Sequence, residues 1–206
     1  MRTETEVLGD LWRVWGAWGA DLDEERWTAP TRCAGWDLAA LYAHVSQGVG
    51  GLAALVRRRR AEGPPEHGDA VALLRALKPD EHVAADLAAR NADAAVADAR
   101  AAGTAELVRR LAEDGPAAVA LAAAEPDQTV EYFRRGTTTV RAATVVRLVE
   151  ATVHLLDLAA ALGREPDLPD GATEHTVRFL TGMAPPLALI EVATGRRAPD
   201  IFPVFG

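Results

Sequence analysis

Apolar residues dominate positions 137–163, TTTVRAATVVRLVEATVHLLDLAAALG, and the polar ones among them fall into a narrow line. Arg147, Glu150, His154 and Asp157 are spaced three, four and three residues apart. At about 100° per residue they share a stripe roughly 80° wide, so the pattern predicts one long helix. The Thr137, Thr138, Thr139 cluster supplies a cap for its start, and Gly163 with Pro166 beyond supplies a stop. Glu150 and His154 stand one turn apart, so a carboxylate and an imidazole can grip a single ion. The stripe has two readings. It is the wet edge of the helix, the commonest origin of such a line, or it is a row of inward ligands, which requires a third donor on another helix.

A second long periodic stretch supplies a candidate. Over residues 38–60, Leu41, His44, Gly48, Leu52 and Leu55 line one face, so His44 lies on the apolar side. A buried imidazole needs a hydrogen-bonding or metal partner, and Gly48 one turn on leaves room beside it. Pro30 and Gly35 mark a turn before this helix and Asp37 is its expected N-cap. The arginines at 57–60 read as a solvated end that complements the helix dipole.

The remaining pattern is helical throughout. Leu8, Leu11, Trp12, Trp15 and Trp18 recur at helical spacing in a first helix over 4–22, a stripe best explained by core packing. A polar link carrying Trp27 follows. Residues 61–69 contain Pro64-Pro65 and read as loop. A short helical turn is expected over 71–77, an Ala-rich helix over 80–102, and a helical segment over 105–124 with a kink at Gly115-Pro116. Residues 129–136 read as a link, and no strand pattern is convincing. Short helices are expected over 172–183 and 187–194, with the apolar tail 201–206 packing back on them. No phosphate loop, dinucleotide fingerprint or solenoid repeat appears. The expectation is one all-α domain over 1–206, a helical bundle of about 4–163 with additional short C-terminal helices and ligands projecting inward.

Charge and cysteine usage narrow the partners. The net charge of −8 and pI of about 5.1 argue against a nucleic-acid binder. The single cysteine, Cys33, excludes an internal disulfide and fits a reducing compartment. The acidic start lacks the character of a signal peptide. No run of about 18 apolar residues without charge reads as a membrane span. A cytoplasmic protein without membrane contact is expected.

Each neighbour of the ligand candidates carries two readings. Asp157 orients a ligand's second nitrogen or forms an ion pair with Arg147. Arg147 otherwise balances carboxylates or holds an acidic substrate. Trp36 and Tyr42 wall a pocket or simply pack. Cys33 touches the site or, the commoner case, is a structural small hydrophobe, and His67, His82 and His175 are expected to be solvated.

The stretch PTRCAGWDLAALYAH, followed by RLVEATVHLLDLAAALG, resembles the mycothiol-dependent maleylpyruvate isomerase metal-binding domain, within the DinB-like four-helix bundle superfamily. The resemblance rests on Trp27, Pro30-Thr31, Cys33, Gly35-Trp36 and His44, then on Glu150, His154, Asp157, Ala159 and Gly163. It implies that His44, Glu150 and His154 bind one divalent metal, usually zinc, and that the polar stripe faces inward. It also implies mycothiol as a thiol cosubstrate. Three protein ligands leave a position open. A thiol with a pKa of about 8.5 is deprotonated when a metal takes it, and the thiolate adds to an electrophilic carbon, giving isomerisation or S-transfer. Larger members carry a second lobe after the bundle. Only residues 164–206 follow the central helix here, so a tailoring or detoxifying transferase fits better than isomerisation of maleylpyruvate itself. Pairing of two chains into a homodimer would supply the missing wall. Two alternatives remain: a non-catalytic, stress-related metal-binding bundle, and a metal-water hydrolase on the same ligands.

Overall fold

A computed structural model of the chain describes residues 2–57, 61–77, 81–133 and 136–201. Four helical rods form the bundle. They are α1 (Glu4–Ala20), α2 (Leu38–Arg57), the broken rod α5 (Thr104–Arg109) and α6 (Gly115–Ala124), and α7 (Val140–Leu162). Helices α1 and α2 each touch both α6 and α7 and close the ring. The Ala-rich α4 (Glu81–Ala102) lies outside against α2, with Ala95 its fully buried residue. Short α3 (Ala70–Leu77) and α8 (Ala172–Met183) pack on α7, and α9 (Pro186–Ala193) follows α8. The all-α, DinB-like bundle read from the sequence is the architecture observed.

The tryptophan stripe of α1 is the core. Trp12 and Trp15 are fully buried, and the Trp15 indole N–H donates to the Ala151 carbonyl of α7 at 3.0 Å. That bond satisfies the one polar atom the ring would otherwise strand. Full burial of each large side chain contributes about 1.5–3 kcal/mol, so these rings fix how α1 meets α7. The predicted kink at Gly115-Pro116 takes the form of a wider π turn over Arg110–Asp114, just before the proline. The turn approaches α1 so closely that a Cβ at Gly16 would stand 3.0 Å from that of Ala112.

Three expectations need correction. First, residues 129–139 contain a hairpin: β1 (Thr129–Glu131) pairs antiparallel with β2 (Thr137–Thr139), Val130 opposite Thr138. Val130 and Tyr132 point inward while Glu131 points out, a period of two too short to register in a longer window. The central helix therefore starts at Val140, and only Thr139 caps it, accepting from the Ala142 amide at 3.0 Å. Its end is as expected, with Gly163 left-handed at φ 62°. Second, α2 carries no Asp, Glu, Lys or Arg before Arg57, so by length and composition it could cross a membrane. More than half of that window is buried in the bundle, the pattern of a core helix. Third, His175 is buried, its Nε2 donating to the Arg2 carbonyl at 3.0 Å. His82 is exposed as expected, and His67 is half-buried. The readings for residues 58–60 and 202–206 lie outside the described residues.

Candidate metal centre

The residues before α2 build a platform over α7. Thr31 Oγ1 donates to the Trp36 carbonyl at 3.0 Å and accepts from the Cys33 amide at 3.1 Å. Gly35 adopts φ 80°, a conformation that a side chain would strain. Asp37 then caps α2, accepting from the Ala40 amide at 2.9 Å. This tight loop explains the spacing of Pro30, Thr31, Gly35 and Asp37, and it delivers Arg32, Cys33 and Trp36 to the same edge of α7.

His44 of α2 and Glu150 and His154 of α7 converge there. His44 Nε2 lies 3.2 Å and His154 Nε2 lies 3.5 Å from Glu150 Oε2. One donor atom from each of the three residues lies within 4.8 Å of the others. Nitrogen and oxygen ligands at about 2.0–2.1 Å from a tetrahedral cation are about 3.3–3.4 Å apart. The two separations to Glu150 bracket that value, so these donors suit a single divalent cation. The polar stripe of α7 thus faces inward at this end, and the wet-edge reading fails for Glu150 and His154, whose side chains are 25% and 15% exposed.

The second nitrogen of His154 is spoken for. Its Nδ1 donates to Asp157 Oδ2 at 2.9 Å, which fixes the ring and turns Nε2 toward Glu150. Asp157 also accepts from Arg32 Nε and Nη2 at 3.0 and 2.8 Å and from the Cys33 thiol at 3.4 Å. The ion pair considered between Asp157 and Arg147 is absent; Arg32 takes that place. Arg32 was not singled out in the sequence, because only the folded loop sets it opposite α7. Cys33 touches the site, and with His154 and Asp157 forms a second cluster of donors around the same imidazole. Arg32 already neutralises Asp157 on that side.

Electrostatics mark the cluster. Burial pushes the Glu150 carboxyl up, and hydrogen bonds from His154 and His44 reverse this and hold it far below the usual carboxylate range. Burial pushes the His154 imidazole down, while hydrogen bonds to Asp157, Cys33 and Glu150 raise it to about 11. Asp157 is pushed up by burial and brought below its ordinary value by His154 and Cys33. The raised His154 imidazole, beside the Glu150 carboxylate, carries a proton where a metal ion would otherwise supply the positive charge.

Aromatic rings and a cavity complete the surroundings. The Trp36 ring stands 5.0 Å from the His44 ring and 5.8 Å from that of His154, so this residue does wall the cluster. Tyr42 does not. It is fully buried between Trp15 and Trp27, each 4.8 Å away, and its hydroxyl donates to the Trp15 carbonyl at 3.1 Å. Its position next to Leu41 faces the core once Trp27 folds over it. On the far side, His44 and Glu150 form the inner wall of a cavity of about 370 Å³, which Arg147, Tyr132 and Phe133 also line. The room that Gly48 leaves is filled by Arg147, whose Cδ would stand 3.3 Å from a Cβ at that position.

No curated protein and no solved structure matches the chain. A family model, described as the Mycothiol maleylpyruvate isomerase N-terminal domain, matches residues 8–159, from α1 through nearly all of α7. Both halves of the His44, Glu150 and His154 cluster lie inside that match, and the chain belongs to the mycothiol maleylpyruvate isomerase N-terminal domain family.

Proposed function

We propose that this protein is a divalent-metal-dependent transferase or isomerase that uses a small thiol to act on a small electrophile. Zinc is the metal, held by His44, Glu150 and His154, and mycothiol is the thiol. The observation that supports this most is the convergence of three donors within 4.8 Å of one another, two of them, His44 and Glu150, on the inner wall of a cavity of about 370 Å³. The family's relation to mycothiol and to metal binding supports the choice of thiol chemistry.

A divalent cation with three protein donors keeps one place open and lowers the pKa of the thiol or water that takes it. The protein's own residues supply the rest. Asp157, neutralised by Arg32, holds His154 in the tautomer that leaves Nε2 free for binding. Trp36 covers the two imidazoles and keeps water off that face. Glu150 in place of a third histidine lowers the net charge of the donor set by one. The cavity beside His44 admits the electrophile. In the reaction the thiol loses its S–H proton to solvent and its sulfur bonds to the electrophilic carbon. The displaced electron pair then collects a proton to leave an S-adduct, or departs with a leaving group; for isomerisation it stays on the substrate during rotation and re-forms the double bond as the C–S pair returns to sulfur, which regains a proton from solvent.

Cobalt substitution tests this reading. Purified protein is expected to hold about one equivalent of zinc, and His44→Ala to release it. Adding mycothiol to the cobalt form is expected to give a sulfur-to-cobalt charge-transfer band. Ester or amide turnover with no band for any thiol would favour a hydrolase, and neither signal would leave a non-catalytic binding module.

A further inference from the structure

Cys33, Asp157 and the Nδ1 side of His154 bring a second set of donors together on the loop side of α7. His154 Nδ1 and the Cys33 thiol both donate to one oxygen, Asp157 Oδ2, at 2.9 and 3.4 Å. The sulfur itself lies 3.9 Å from Nδ1. Arg32 occupies only the other oxygen, Oδ1. Two protons thus converge on a single carboxylate oxygen, where one cation can replace both. Around a tetrahedral ion of zinc size, sulfur at about 2.3 Å and nitrogen or oxygen at about 2.0–2.2 Å stand about 3.3–3.7 Å apart. The three separations fall within about 0.4 Å of that range, a gap that small side-chain rotations close. Arg32, Ala34 and Gly35 are exposed and Cys33 is half-buried, so an ion reaches the group from solvent at the loop edge.

The donors select the ion. A thiolate beside an imidazole and a carboxylate suits a soft or borderline cation, not magnesium or calcium. The charge balance selects a divalent one. Its binding releases the Cys33 S–H proton and the His154 Nδ1–H proton to solvent, two charges for two, so the group with Arg32 stays neutral. Nε2 of the same ring faces Glu150, so the two sets of donors share one imidazole through its opposite nitrogens. Resting on the reading of His44, Glu150 and His154 as metal donors, we propose that Cys33, Asp157 and His154 Nδ1 form a second cation site, for a thiophilic divalent ion, and that filling it loosens the metal at the first. The ion takes the Asp157 oxygen that orients His154, and it places a second positive charge against the ring. Coupling between two sites is reciprocal, so a filled first centre weakens the second by the same factor.

Cadmium titration of the zinc-loaded protein, without added thiol, tests this. Cys33 is the single cysteine of the chain, so a thiolate–cadmium absorption band reports this site alone. The band is expected to saturate at about one equivalent, to be absent in Cys33→Ser, and to need at least about tenfold more cadmium in Asp157→Ala. Zinc lost on desalting should rise as the band grows. His44→Ala, which breaks the first centre, is expected to form the band at about tenfold lower cadmium. Circular dichroism reports folding, and Asp157→Asn carries the test if Asp157→Ala does not fold. No band overturns the proposal. So does a band with the same midpoint in wild type and Asp157→Ala, which is a solitary thiol collecting cadmium. Equal midpoints in zinc-loaded wild type and His44→Ala overturn the shared imidazole. The zinc content of purified protein is read separately. Protein without zinc that still shows the Asp157-dependent band keeps the second site and removes the thiol-using reading alone.

Discussion

Helix α2 separates two cavities, and the larger is the less informative. The one toward α5 and α6 is about 490 Å³, against about 370 Å³ on the His44 side, and Gln47 borders both. Both contain arginines and acids. In the larger, the charges answer one another. Arg110 meets Asp98 at 2.8 Å and Glu106 at 3.2 Å, and Arg109 meets Glu106 at 2.6 Å and Asp114 at 2.9 Å. Arg57 at its rim is exposed to solvent. In the smaller, a carboxylate is shared by two imidazoles, and among the described residues Arg147 has no ion pair. A pocket whose charges cancel from within has no electrostatic demand on a ligand. Volume alone therefore does not find the site. Unbalanced polarity does.

The sharpest way to break the comparison is to remove the shared imidazole. His154→Ala deletes one donor and leaves only Glu150 and His44 in contact. Bound metal is expected to fall from about one equivalent to none retained through desalting, because two donors rarely hold zinc. The matched change across α2, Arg110→Met, should leave metal content unchanged. Metal analysis of both variants decides it, and equal loss in the two would mean that the cavities do not differ in this respect. The next effect down lies behind the imidazole. Asp157→Asn keeps the shape but weakens the grip on His154 Nδ1 and frees Arg32. Zinc affinity, measured by chelator competition, should drop by about ten- to a hundredfold. An unchanged affinity would reduce Asp157 to a surface partner of Arg32.

The two sides of α2 were also unequally legible in the sequence. His44 stood out because an imidazole interrupts an otherwise apolar helical stripe, and Glu150 with His154 because they stand one turn apart. Helical periodicity reports such neighbours directly. It cannot report that residues 31–36 fold into a loop over α7. Arg32 was missed for that reason, and of the two readings of Cys33 only the folded loop selects contact with the site, its thiol reaching Asp157. Trp36 and Tyr42 looked alike in sequence, yet one caps the imidazoles and the other is locked between two tryptophans. Tertiary contacts alone separate them. The hairpin escaped because three-residue strands carry too little alternation, although its turn brings Tyr132 and Phe133 to the cavity. Arg147 was read on the same stripe as Glu150, and its place beside a cavity became visible only with the cavity walls in view.

The smallest expected effect tests the quiet side. Hydrogen bonding from Arg109 holds the Glu106 carboxyl down at about 2, with Arg110 adding to it and burial opposing both. Its ordinary value is 4.5, so the folded state favours the ionised form. A carboxylate with a depressed folded-state pKa adds stability that is fully present above the ordinary value. That contribution is lost as the pH falls from about 4.5 toward 2. The side chain is 36% exposed, so solvent and salt screen the attraction and the gain is small. Glu106→Gln should therefore lower the thermal midpoint slightly at neutral pH, and less at high ionic strength. The gap between variant and wild type should close as the pH approaches 2. Zinc content and the cobalt–thiol band should not move at any pH where the protein is folded. Thermal melts at several pH values, paired with metal analysis, measure both. A Glu106→Gln variant that loses metal would show that the ion-pair network supports the centre through α2, and that the two cavities act as one.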